Sequence, residues 1–382
     1  MKYLLTLIIV SLLLTFPHLH ILSKTTEQLS PDSTKTITFS FVGDLMCHEP
    51  ETDFASVGKN TFDYKPFFRE VKKFLTSTDF TVGNLETTLS GRENKFSGYP
   101  LFNTPDEFLD ALKDAGFNFL ITSNNHCLDR GKKGIIRTID KIHEKGLIST
   151  GTNKSPYDRD SIRIIEKNGI RTAILAYTFG VNGNYLSQNE KYMVNFIDTS
   201  VIKNDILSAR TKNTDLIIVY FHFGNEDLRR PSDYQNEISK KTISYGAGLI
   251  ICRHPHVIQP MEYFLTKDSK LKEGFIAYSL GNFISNQRKR YTDCGVILNI
   301  SISKNRAGEI TLSNVGYLPT WVFKGEVDKK NEFIILPSDT SAYKLPLYLK
   351  INDRAKLIQS FSDTKSMFKE VDYRKTISGK MN

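Results

Sequence analysis

The sequence predicts a layered α/β domain, on three observations. Short runs rich in β-branched and aromatic residues alternate with amphipathic stretches of helical period, the pattern of sheets covered by helices. Several of the apolar runs stop abruptly on Asp, Asn, Glu or His. The composition, 40% hydrophobic and 24% charged over 382 residues, is that of a globular chain able to bury a large core without covalent staples. In open α/β sheets ligands collect at the carboxyl ends of strands, so the polar residues that close the runs are the candidate site.

Taken in order, residues 24–35 read as a polar linker and 36–43 as a strand of period-two alternation that delivers Asp44 at its end. Residues 65–75 read as a helix. The short strand 80–84 leads to Glu86, and two positions apart on an extended chain Asn84 and Glu86 share a face. A helix is expected from Thr104, with Pro105 in its first turn, Glu107 at the capping-box position and Gly116 at its end. The apolar run 117–122 then closes in Ser123-Asn124-Asn125-His126. Residues 132–145 form an amphipathic helix with Ile135, Ile139 and Ile142 on one face, and His143 on that helix reads as structural. Lys167-Asn168-Gly169 joins strands 161–166 and 170–177 as a hairpin. After a helix over 202–209, the strand 215–221 stops at His222. A helix over 233–245 leads to the run 249–252, which stops at Arg253-His254-Pro255-His256. Residues 274–280 are another strand, and 295–303 with 309–315 form a hairpin across 304–308. Beyond Val315 the pattern is mixed and weakly periodic.

The formal net charge of +9 points to an anionic partner. No Arg-rich helix and no Cys/His finger spacing is present, so nucleic acid is not expected to be that partner. Residues 1–23 read as a signal peptide or an N-terminal membrane anchor: Lys2 precedes the apolar stretch 3–16, which suits a secretory segment and falls short of the ~20 residues of a spanning helix. The body is expected in the cell envelope, extracytoplasmic, and either membrane-anchored or secreted. Cys47, Cys127, Cys252 and Cys294 form no dense disulfide framework and read as small buried residues beside the site.

Asp44, Glu86, Asn125, His126, His222, His254 and His256 come from five separate strand ends. Of eight histidines, His18 and His20 lie in the leader, His143 lies on a helix, and His48 closely follows Asp44. In an extended segment positions i and i+2 face the same way, and Pro255 biases His254 toward extended backbone, so both rings of His254-Pro255-His256 are expected to face one centre. A mixture of carboxylate, amide oxygen and imidazole suits divalent ions of the Mn, Fe or Zn class, and a carboxylate can bridge two such ions about 3.5–4 Å apart.

The ordered set Gly43-Asp44, Asn84-Leu85-Glu86, Asn124-Asn125-His126, His222-Phe223-Gly224, His254-Pro255-His256-Val257 and Ser279-Leu280-Gly281-Asn282-Phe283 resembles the bacterial capsule-synthesis CapA family, also known as PgsA. That family is tied to poly-γ-glutamate production and is similar to calcineurin-like metallophosphoesterases. The resemblance runs over 36–285 and implies a four-layer αββα sandwich of two mixed sheets, with a family domain over 36–323 and an extension of unassigned role over 324–382. It implies that Asp44, His256 and a bridging Glu86 hold one divalent ion, and that Asn125, His222 and His254 complete a second. His126 would stand above them as general acid or transition-state stabiliser. Three departures are visible. Met46 stands where metallophosphoesterases carry the histidine of the first motif, Cys252-Arg253 stands where the family has glycines, and Glu86 replaces a bridging Asp.

Two functions follow from this reading. One is an exported, metal-dependent hydrolase of a phosphoester or of an amide bond in an anionic polymer such as poly-γ-glutamate. The other is a non-catalytic, polyanion-binding assembly factor working with the membrane and the capsule-synthesis machinery. Asn84, on the face of Glu86, and Arg253, beside the histidine pair, are the candidate substrate contacts. The basic run Arg288-Lys289-Arg290 either contacts carboxylates or is a solvated face.

Overall fold

A computed structural model describes residues 34–341 and 343–368. The expected leader over 1–23 and most of the linker over 24–35 lie outside the described residues. Among the described residues no helix is long and apolar enough to cross a membrane.

The strand Lys35–Leu45 runs through the middle of the larger of two mixed sheets. On one side it continues in parallel to Phe80–Leu85, Phe119–Ile121 and Ile148–Thr150; on the other it continues antiparallel to Cys294–Lys304, Ile310–Val327 and Lys330–Pro337. The short strand Asn282–Ile284 pairs in parallel with its last residues. The smaller sheet has the order Met261–Leu265, Glu273–Ala277, Leu249–Arg253, Leu216–His222, Ile170–Thr178, Arg163–Lys167, with antiparallel strands at both edges. Alternation decides what each face buries. Ile37, Phe39 and Phe41 meet Ile174, Ile218, Tyr220, Leu249 and Ile251 of the other sheet in one core, and Phe41 and Tyr220 cross edge-on at 6.0 Å. The helices Glu107–Ala115 and Gly131–Glu144 cover the outer face of the larger sheet through Phe108, Leu109, Leu112 and Ile142. Thr199–Thr211 and Asp233–Tyr245 cover the smaller one through Ile202, Ile206 and Ile238. The result is the four-layer αββα sandwich that the resemblance implies, with the parallel strands of both sheets ending on the same side as the candidate residues.

Three local expectations are corrected. The helix over 65–75 is a 3-10 turn, Lys65–Phe68, followed by a short helix, Lys72–Leu75. Thr104 does not cap the next helix, which starts at Glu107 with Asp106 before it; the Thr104 hydroxyl instead bonds that of Thr87 at 2.6 Å, a tertiary partner that sequence spacing does not reveal. The strand expected over 309–315 continues as Ile310–Val327 and pairs with Lys330–Pro337, so the sheet runs straight through position 323/324. Residues 315–323 are buried without interruption, so they carry none of the alternation that marks a half-exposed strand. The helix Ile351–Lys365 then covers this part of the sheet, with Leu357 packed in the same cluster as Trp321, Ile334 and Leu336.

Candidate metal centre

The centre is built where Lys35–Leu45 ends. The pairing register with Phe80–Leu85 shifts between Phe41 and Asp44, the kind of irregularity that re-aims a side chain at a strand end. Gly43 is required there, because a Cβ would lie 2.0 Å from the Gly281 carbonyl oxygen, and the Asp44 N–H donates to that same oxygen at 3.0 Å. Gly281 itself has φ +67, a conformation natural to glycine. Asn84 Nδ2 donates to Asp44 Oδ1 at 2.8 Å and to Glu86 Oε2 at 3.1 Å. Asn124 Nδ2 in turn donates to Asn84 Oδ1 at 3.2 Å and to the Leu85 carbonyl at 2.8 Å. One oxygen of each carboxylate is thereby committed. The other two, Asp44 Oδ2 and Glu86 Oε1, are buried without a hydrogen-bond partner among the described residues.

Three histidines face those oxygens. His222 Nε2 lies 2.8 Å from Asn125 Oδ1 and 3.7 Å from Glu86 Oε1. His256 Nδ1 donates to Asn282 Oδ1 at 3.0 Å, since the Asn282 amide nitrogen is already donating to Gln287 and the Thr292 carbonyl; this leaves Nε2 facing Glu86 Oε1 at 3.8 Å. His254 Nδ1 is buried without a partner among the described residues. The ring centres of His222 and His254 are 4.8 Å apart, and those of His254 and His256 are 5.9 Å apart. The pair does converge, but not through the extended backbone expected of it: His254 has φ 101 and His256 has φ 58. Both residues lie past the end of Leu249–Arg253, where the chain bends. Positive φ in non-glycine residues is uncommon and costs about 1–3 kcal/mol each, which places backbone strain at the centre.

The electrostatics follow from burial and from mutual charge. Burial and the adjacent Asp44 charge push the Glu86 carboxyl well above the usual range. Burial also works to raise Asp44, but the His256 ring 3.3 Å from its Oδ2, together with the Arg253 charge, holds it below its ordinary value. Burial and the neighbouring imidazoles lower His222 strongly and His254 to about 3, so both rings are neutral and keep a lone pair. Burial works against protonation of His256 as well, but Asp44 overrides it and raises the value. Two donor groups result, Asp44 with Glu86 and His222, and Glu86 with His254 and His256, each with ligand atoms within 4.8 Å of one another. Both contain Glu86. The grouping differs from the implied division in two respects: His222 falls with Asp44 and Glu86, and His256 falls with His254 and Glu86, although it also faces Asp44 at 3.3 Å. Buried anionic oxygens without partners are costly, and a carboxylate–amide–imidazole set is what divalent ions of the Mn, Fe or Zn class take, so the residues present fit such an ion.

The structure brings Asp44, Glu86, Asn125, His222, His254 and His256 together. His126 stands beside them, with Nδ1 held by Asp129 Oδ2 at 2.8 Å and its ring edge-on to Phe102 at 4.7 Å. Neither of the two candidate substrate contacts is exposed. Asn84 is fully buried and clamps two carboxylates. Arg253 is 1% exposed; its guanidinium donates to the Val42 carbonyl of the other sheet and lies 5.1 Å over Tyr220. Alternation along Leu249–Arg253 explains this, because Leu249, Ile251 and Arg253 share the face that points between the sheets. His48 does not take the place left by Met46: its Nδ1 receives the Asn286 N–H at 3.3 Å and lies 3.7 Å from Glu51. The basic run is largely spent on the protein itself, Lys289 on Asp227, Arg290 on Asp363, and Arg288 over Trp321. All four cysteines are free and buried. Asn124, Asp129, Asn182 and Asn282 are site residues that sequence reasoning passed over. Asn124 and Asn282 sit inside motifs already singled out and Asp129 lies three positions from His126, whereas Asn182 comes from an aperiodic polar loop without any such signal.

Residues 38–287 match the family model described as bacterial capsule synthesis protein PGA_cap. The "Capsule biosynthesis protein CapA" of Bacillus anthracis is 28% identical over 344 residues, covering 87% of this chain and 80% of that one. The "PGA biosynthesis protein CapA" of Bacillus subtilis (strain 168) is 26% identical over 296 residues, covering 76% and 74%. Among solved structures, the Haemophilus influenzae NAD nucleotidase (NadN) aligns with 90% of this chain and 59% of its own, at a TM-score of 0.48 and 11% identity. This chain therefore spans less than two thirds of that nucleotidase. The family match covers more than half of the sequence and contains every residue of the centre, so the chain belongs to the bacterial capsule synthesis protein PGA_cap family.

Proposed function

We propose that this protein serves capsule biosynthesis in the cell envelope, exported or anchored through its N-terminal leader, as a divalent-metal-dependent hydrolase acting on an anionic polymer of the poly-γ-glutamate type or on a phosphoester of its assembly. One observation carries the reading: Asp44 Oδ2, Glu86 Oε1 and His254 Nδ1 are buried and, among the described residues, unpartnered, on residues of two donor groups that share Glu86, in a chain whose relatives are named for capsule and PGA biosynthesis. Asp44, Glu86, Asn125, His222, His254 and His256 would hold the ion or ions. When bound, such an ion supplies Lewis acidity and lowers the pKa of water toward neutrality.

The chain's own contribution is positional and protonic. The Asp129 carboxylate accepts the His126 Nδ1 proton, fixing the tautomer and leaving Nε2 for the reacting group. Asp129 Oδ2 is itself pinned by the Phe102 N–H at 2.8 Å, so the imidazole has a fixed direction. Once protonated at Nε2 as well, His126 would give that proton to the departing oxygen or nitrogen and return to the Nδ1–H tautomer held by Asp129. The test is turnover of a model phosphodiester and of poly-γ-glutamate by the Mn²⁺-loaded full-length protein. His126→Ala should lower kcat by about 10²–10⁴ while leaving metal content unchanged. A metal-loaded wild type that cleaves neither substrate would sink the hydrolase reading and favour an assembly role.

A further inference from the structure

We propose that Asn182 is a positioning residue that turns the Asn125 amide oxygen toward the metal donors, an inference that rests on the metal-centre reading above. A carboxamide has an acceptor end and a donor end of nearly equal size, and only the oxygen can face a cation. Something must therefore select the rotation. Asn125 Nδ2 donates to Asn182 Oδ1 at 3.1 Å, while Asn125 Oδ1 faces His222 Nε2 at 2.8 Å. Turning the Asn125 amide over would set its NH2 against His222 and the cation site, and would place two oxygens face to face at Asn182. The acceptor at position 182 thus forbids the wrong orientation. The other end of the same side chain reaches the neighbouring functional group: Asn182 Nδ2 lies 3.4 Å from Nε2 and 3.5 Å from Nδ1 of His126. Near-equal distances place the amide against the ring rather than in line with one nitrogen, so Asn182 braces His126 without taking the bond that Asp129 makes.

The backbone makes this residue suitable for the position. Asn182 has φ 50 and Gly183 has φ 75, and among residues with side chains Asn and Asp tolerate the left-handed region best. Asn182 is exposed, so its side chain can be changed without opening the core. Partners behind a metal ligand that fix its orientation typically change metal affinity 10–100-fold when removed.

The experiment is Mn²⁺ titration of chelator-treated full-length protein, wild type against Asn182→Gly and Asn182→Asp, with the thermal midpoint of each metal-free protein measured in parallel. Glycine keeps the backbone conformation and removes the amide; aspartate keeps the acceptor. The expected result is an affinity loss of about tenfold or more in Asn182→Gly at an unchanged metal-free midpoint, with most of the loss recovered in Asn182→Asp. Affinity in Asn182→Gly within about twofold of wild type overturns the proposal, as does an Asn182→Asp variant as weak as the glycine one. A wild type that binds no Mn²⁺ overturns the metal reading itself, and this inference with it.

Discussion

At the scale of single residues the centre is a set of opposed demands. Asp44 and Glu86 each give one oxygen to Asn84 and keep the other for the cluster, while His254 and His256 reach it only from positive-φ backbone. The strain makes a prediction independent of any activity. His254→Gly and His254→Ala both remove the ring, but glycine relaxes the backbone at φ 101, so in chelator the glycine variant should be more stable than the alanine variant by about 1 kcal/mol in urea denaturation. Equal stabilities would show that the backbone at 254 is unstrained. The ligands were legible in the sequence because they terminate apolar runs. The way in which the histidine pair converges was not, since the bend follows from what surrounds Arg253 and Pro255 in the fold. Arg253 misled for the same reason: a charged residue next to two histidines reads as a substrate contact, and only the face of Leu249–Arg253 reveals that it points between the sheets.

At the scale of elements, strand ends are used on both sides of the molecule. The carboxyl ends carry the centre. At the opposite end Asp215, just before Leu216–His222, accepts from Lys270 Nζ and Lys304 Nζ, each at 2.9 Å, and from the Arg171 N–H at 3.0 Å, and so ties the two sheets together. Burial works to raise its carboxyl, but these donors outweigh it and hold the value below the ordinary one. A depressed carboxyl contributes stability above its unfolded pKa of about 3.9, and that stability disappears as pH falls through the folded value. Asp215→Asn should therefore cost about 1–3 kcal/mol at pH 7, with the gap to wild type closing below about pH 3.9. A gap of constant size across that range would contradict the assignment. The parallel strands, the hairpin at Asn168-Gly169 and the helix closed by Gly116 were readable from periodicity and turn chemistry. The continuation of Ile310–Val327 beyond Val315 was not, because a strand buried without interruption over 315–323 shows no alternation to read.

At the scale of the whole molecule, the two sheets, their covering helices and the strand Lys330–Pro337 form a layered body whose upper edge is the centre. A chain ended after residue 323 would lose the partner strand of Ile310–Val327 and the helix Ile351–Lys365, exposing Trp321, Ile334-facing surface and the edge of the larger sheet. Such a truncation should be recovered as aggregate or lack a cooperative thermal transition, whereas one ended after 368 should melt cooperatively; cooperative melting of both would show that the terminal strand and helix are dispensable. Metal binding at the centre underlies the proposed function. Elemental analysis of the purified full-length protein, beside its His254→Ala/His256→Ala variant, tests it most directly. The wild type should carry one or two equivalents of a divalent metal ion and the variant a substoichiometric amount. Equal metal content in the two proteins would contradict it.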